Sequence, residues 1–251
     1  MIAELGMYPM KSVRWAWDEL WAAVHRRAPW TPAELAHTGD VHARWIDPMC
    51  VINHVCGWPL ARWYADTHRV VGTFALSIPE ADGHRYRSVL VSNRDVPLDE
   101  LVRPGTRAVA NSADSLSGWI SFLAATVGPA GDWPGEVAFT SAHVESLRVL
   151  AAGGADLACI DSWTLALVAH EEPGLVSELH RVGVGPLIPS PAITVAATVD
   201  PVAAAELATA FSAATADPAL DDALAALRIT GFERTTLEDY LPTLDLAVFP
   251  L

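Results

Sequence analysis

Three serine hydroxyls and a glycine, at Ser112, Ser115, Ser117 and Gly118, fall within the run Asn111-Ser-Ala-Asp-Ser-Leu-Ser-Gly118. The run follows a short apolar strand, Arg107-Ala-Val-Ala110, and leads into an apolar segment that begins Trp119-Ile-Ser-Phe-Leu. It therefore stands where a helix should start. First-turn N–H groups lack partners inside a helix and the macrodipole adds partial positive charge there, so hydroxyls and amides can hold an oxyanion without Lys or Arg. One serine is enough for ordinary capping. Three hydroxyls, with a glycine that lets the backbone come close, predict an anion cradle.

Other polar side chains fall at predicted strand ends. His143 lies between a strand over 136–140 and a helix over 144–152, either packing locally or facing the crevice where open α/β sheets bind ligands. Facing the crevice, it would donate to an anion, and its charge state would couple binding to pH. Asp161 ends a strand over 156–160; it either caps the next helix or accepts a hydrogen bond from a protonated ligand oxygen or a ligand amine. A carboxylate in such a place disfavours a full dianion. Tyr8 precedes Pro9 at a strand end, and Trp58 sits in the turn Cys56-Gly-Trp-Pro59. Each is a core aromatic or a wall of the pocket. His54 and Asn53 end another strand and are further possible ligand contacts.

Composition narrows the function classes. The 251 residues hold 16 Lys plus Arg against 30 Asp plus Glu, a formal charge of −14, and about half are apolar. That length buries a core for one large domain or two lobes, and the acidic balance argues against nucleic acid. Cys50, Cys56 and Cys159 form neither an even framework nor a C-x-x-C pair, so a reduced chain without structural zinc is expected. His37, Asp40 and His42 fit no common zinc spacing, and neither a metal nor a cofactor is expected. No G-x-S-x-G, Walker A or G-x-G-x-x-G run occurs. Without a leader-like start or a long apolar window, the chain as written reads as cytoplasmic with no membrane span, and as periplasmic or cell-surface if a leader has been omitted.

Apolar segments alternate with amphipathic ones, the pattern of a largely parallel α/β sheet. A helix is predicted over 12–27, with Val13, Trp17, Leu20, Trp21 and Val24 on one face. Strands are predicted over 50–55, 70–76, 88–92 and 192–199, and helices over 201–215, 218–227 and near 237–240. Three prolines and two glycines within 183–191 read as a crossing between lobes rather than as an element.

The order of motifs resembles the type 2 periplasmic-binding-protein fold, and more closely the phosphate/phosphite/phosphonate-binding proteins of ABC transporters, the PhnD-like family. The resemblance is carried by Met7-Tyr8, Cys56-Gly-Trp-Pro-Leu60, Tyr86-Arg-Ser-Val-Leu-Val91, the Asn111–Gly118 run, Ser141-Ala-His143 and Ala155-Asp-Leu-Ala-Cys-Ile-Asp161. It implies a two-lobed α/β protein, each lobe a mostly parallel sheet flanked by helices, with lobe one over 1–87 plus 188–251, an inserted lobe two over 88–187, and a ligand cleft between them. Closure would be a hinge motion through 86–91 and 185–191.

In that family a serine/threonine-rich helix start grips the phosphoryl oxygens. The matching positions here are Ser115, Ser117 and the Gly118 amide, with His143, Asp161 and Tyr8 as the matching histidine, acid and lobe-one tyrosine. Trp58 or Tyr86 matches a second aromatic. The implied function is a non-enzymatic solute-binding protein for a small oxyanion, of phosphate or phosphonate type, with an ABC permease as possible partner. The alternatives are an enzyme on the same fold, of the pyrimidine-precursor-synthesis type, with His54, Cys56, His143 and Asp161 as reacting groups, or a cytosolic ligand sensor.

Overall fold

The structure is a computed structural model that describes residues 1–37 and 40–247. Its contacts divide the chain into two compact units, one made of Met1–Arg85 and Pro189–Leu241, the other of Tyr86–Ile188 and the described part of the tail, 242–247. The tail was expected to stay with the first lobe throughout.

The first unit is built on a five-stranded sheet in the order Ile2–Glu4, Cys50–Val55, Ala192–Ala196, His68–Leu76, Ile229–Glu233. Ile2–Glu4 runs parallel to Cys50–Val55; the other three pairings are antiparallel. The sheet is thus mixed rather than mostly parallel. Runs such as Cys-Val-Ile-Asn-His-Val mark strands covered on both faces, but strand direction is set by how the later segments return, which no local run encodes. The helix Arg14–Arg27 covers one face and buries Trp17, Leu20, Trp21 and Val24, the stripe expected from its 3.6-residue period. Its Trp21 ring meets Phe211 of the helix Pro201–Thr215 at 6.2 Å between centroids. Phe74, Phe211 and Phe232 complete this core, with Phe211 stacked on Phe232 at 4.9 Å. The strand Ile229–Glu233 was not expected: it is short, carries Gly231, and is specified by its partner strand and by the seat of Phe232.

The second unit contains the order Arg85–Ser92, Leu157–Ile160, Arg107–Ala110, Glu136–Phe139. The last three are mutually parallel, while Arg85–Ser92 runs antiparallel to Leu157–Ile160. Leu90, Ala108, Phe122, Leu157 and Cys159 form its core, and Trp119 stacks on Phe122 at 5.1 Å.

The glycine- and proline-rich stretch 183–191 holds the expected crossing, since the chain changes units at Ile188–Pro189, and it is also part of an element: His180–Pro189 is a strand that pairs with Arg85–Ser92. Proline lacks a ladder donor and is tolerated on such an outer strand. Gly183 and Gly185 are fixed by close approach, since a Cβ there would stand 3.0 Å from Leu98 and 3.2 Å from Ser121.

Candidate functional site

Parallel pairing of three strands sets the site. Because Arg107–Ala110 lies between Leu157–Ile160 and Glu136–Phe139 in parallel register, the residues that follow each strand leave the sheet at one edge. Those residues are the Asn111–Gly118 run, the Ser141–His143 turn and Asp161. Carboxyl ends of parallel strands are where open α/β sheets place their ligands.

The first of these turns is a wide one. The Ser115 N–H donates to the Ser112 carbonyl at 3.3 Å, and Ser115 Oγ caps the helix by accepting the Gly118 N–H at 3.0 Å. The helix opens with a π turn over Leu116–Ile120, in which the Ile120 N–H reaches back to the Ser115 carbonyl at 3.1 Å, and continues as α-helix over Ser121–Thr126. Such π turns recur at functional sites. Gly118 has to be glycine: a Cβ would fall 2.0 Å from Asn111 Oδ1 and 2.9 Å from Ser115 Oγ. Cys159, on the central strand pair, donates its thiol to the Ser117 carbonyl at 3.4 Å.

His143 begins the helix His143–Ala151, after Ser141, which holds the uncommon φ of 70°. Its Nε2 lies 3.1 Å from Ser117 Oγ. The ring is half-buried, and desolvation lowers its pKa below the ordinary histidine value, opposed by the Asp161 charge. Asp161 is buried and caps the helix Ser162–Glu171, its Oδ1 accepting the Thr164 N–H at 2.7 Å. Its Oδ2 accepts the Tyr86 hydroxyl at 2.5 Å. The structure therefore brings Ser115, Ser117, Gly118, His143 and Asp161 into one hydrogen-bonded cluster, with the Ser112 carbonyl in the turn beneath it.

Two features of the cluster differ from the sequence reading. The Gly118 amide, expected to face a ligand, is bonded to Ser115 Oγ. Tyr86, weighed as a lobe-one aromatic, belongs to the second unit and bonds Asp161. Two polar atoms of the edge that the sequence reading passed over are Asn111 Oδ1 and Ser162 Oγ, both buried with no hydrogen-bond partner among the described residues. The direct neighbour Asp161 was the available signal for Ser162; nothing in the sequence marks the Asn111 carbonyl oxygen.

Tyr8 and Trp58 lie in the first unit, both buried. Tyr8 packs on His54 with centroids 5.8 Å apart, and Trp58 meets Trp63 edge-on at 5.2 Å. Burial among Tyr8, Trp17 and Phe74 pushes the His54 pKa down to about 3, against the carbonyls of Leu5 and Pro191 that would favour its proton. His54 is thus a neutral core histidine. The three cysteines are buried and unbridged, and burial pushes the Cys50 thiol up to about 12. No described helix is long and apolar enough to cross a membrane.

The family described as ABC transporter, phosphonate, periplasmic substrate-binding protein matches residues 57–240, well over half of the chain. No functionally curated protein matches. Among solved structures, the chain is similar to a PhnD protein of Prochlorococcus marinus in complex with methylphosphonate, at TM-score 0.78 and 11% identity over 98% of this chain and 96% of that one. It is also similar to a binding-protein component of an ABC phosphonate transporter from Pseudomonas aeruginosa, at TM-score 0.73 and 16% identity over 98% and 85%. A Xanthomonas citri protein bound to ATP matches at TM-score 0.67 and 14% identity over 95% and 94%. At these identities the structures show the fold alone, a two-lobed binding-protein fold. The family match goes further: the chain belongs to the phosphonate-binding periplasmic substrate-binding proteins of ABC transporters.

Proposed function

We propose that this chain is a solute-binding protein for a small phosphoryl oxyanion of the alkylphosphonate or phosphate type, held at the sheet edge of the second unit and delivered to an ABC permease on the periplasmic or cell-surface side. The observation that carries the reading is the contact of Ser117 Oγ with His143 Nε2 at 3.1 Å, beside the capped Ser115 turn. Two neutral donors meet there, at the end of parallel strands, in a chain of the phosphonate-binding family. The first unit would contribute Tyr8 or Trp58 on closure, so that ligand bridges both units. Asp161 adds selectivity, since its carboxylate disfavours a dianion and favours a ligand that keeps one proton or carries an amine.

A thermal-shift screen with methylphosphonate, aminoalkylphosphonates, phosphate, phosphite, sulfate and pyrimidines tests this. A phosphoryl ligand at 100 times its Kd adds about 2.7 kcal/mol of stability, a readily visible shift. In Ser117→Ala its affinity should fall by about 1.5 to 3 kcal/mol, the worth of one hydrogen bond to a charged group. No response to any phosphoryl compound, with a response to a pyrimidine, would refute the reading. The second reading, an enzyme, draws on the same serine–histidine contact; turnover of a bound phosphonate ester would favour it.

A further inference from the structure

Asp161 approaches His143 with its backbone rather than its carboxylate: the Asp161 N–H points at His143 Nδ1 across 3.5 Å. An amide N–H only donates, so Nδ1 must present a lone pair. A neutral imidazole in that position carries its proton on Nε2, whereas an imidazolium would set two N–H groups against each other. Nε2 is the atom that faces Ser117 Oγ. We propose that the Asp161 amide fixes His143 as a neutral imidazole protonated on Nε2, which donates to Ser117 Oγ and leaves the Ser117 hydroxyl proton to be given to the oxyanion, with Asp161 and Tyr86 as positioning residues.

Each link of this chain has its own support. The Asp161 backbone is anchored because its carboxylate accepts from the Tyr86 hydroxyl and from the Thr164 N–H. Donation from His143 to Ser117 polarises the serine hydroxyl, since hydrogen bonds in series strengthen one another in a low-dielectric setting. Desolvation acts in the same direction on His143, with the Asp161 carboxylate opposing it. On its own helix and on the elements beside it the other charges are engaged elsewhere: Arg148 with Glu145 and Glu172, and Arg107 with Asp156. His170 and Glu171 lie at the far end of the helix that Asp161 caps. The arrangement reverses a catalytic serine–histidine–aspartate relay, in which Nε2 accepts from serine and Nδ1–H donates to the carboxylate. The inference deepens the binding reading and rests on it for its consequence.

The test is long-range nitrogen–proton correlation NMR of histidine-labelled protein without ligand, with the His143 signals assigned by their loss in His143→Gln. The expected pattern at neutral pH is an unprotonated Nδ1 and a protonated Nε2, with the imidazolium forming only at lower pH than in an exposed histidine. In Tyr86→Phe the Asp161 carboxylate loses a donor, and His143 should titrate at higher pH. A protonated Nδ1, or an imidazolium at neutral pH, in the unsubstituted protein would overturn the proposal. Because no ligand is present, that outcome is separate from the thermal-shift screen: a protein that ignores every phosphoryl compound yet shows the expected tautomer refutes the proposed function, not the tautomer.

Discussion

His54 and His143 are both imidazoles at predicted strand or turn edges, yet their surroundings give them different work. His54 is sealed among Tyr8, Trp17 and Phe74 with a pKa of about 3, while His143 keeps one ring nitrogen against a serine at the sheet edge. For His54 the consequence is for stability. Its unfolded value is near 6.5 and its folded value near 3, so between those pH values the unfolded chain binds the extra proton and stability falls as the solution is acidified. Urea unfolding from about pH 7 down to about pH 4 should show a declining midpoint. In His54→Phe that decline should be shallower, on a baseline about 1 to 3 kcal/mol lower at neutral pH because one of the Leu5 and Pro191 carbonyls loses the single N–H that a neutral imidazole can donate. An equally steep decline in the variant would assign the acid sensitivity to other groups.

The wide turn at Ser115–Ile120 depends on Gly118 because Asn111 Oδ1 occupies the space a Cβ would need. Gly118→Ala should therefore destabilise the second unit by about 1 to 3 kcal/mol, as overpacking of a filled site does, and weaken oxyanion binding with it. Combined with Asn111→Ala, which vacates that space, most of the lost stability should return. Chemical denaturation of the three variants checks this, and a double variant no better than Gly118→Ala would place the strain elsewhere. The elements around this turn were largely legible. Val13, Trp17, Leu20, Trp21 and Val24 mark the first helix by period alone, and Arg107–Ala110 reads as a strand from its own residues. The strand His180–Pro189 was not legible: its prolines and glycines look like an interruption until the neighbouring strand Arg85–Ser92 supplies a ladder with an open outer side.

In the whole molecule the chain passes between units three times, at Arg85–Tyr86, at Ile188–Pro189 and at Leu241–Pro242. A protein that closes on a ligand differs between its states by the contacts the ligand makes in each. If binding of methylphosphonate is coupled to the proposed closure, small-angle scattering should show a smaller radius of gyration on its addition. Ser117→Ala should require a higher concentration to reach the same compaction. A radius unchanged at saturating ligand would leave binding confined to the second unit and exclude closure.

Strand ends, helix starts and the polar residues at them were determined by the sequence itself, because period, capping chemistry and apolar runs are local properties. The serine-rich run, His143 and Asp161 could be singled out on that basis, with a family resemblance to join them. Tertiary structure decided what each group touches. Parallel pairing of Arg107–Ala110 with Glu136–Phe139 and with Leu157–Ile160 carries three distant turns to one edge; the π turn gives the Gly118 amide to Ser115; Tyr86 and Thr164 take the Asp161 carboxylate, leaving its amide to His143. These are choices among partners of similar chemistry, and only the packing of segments far apart in the chain selects among them.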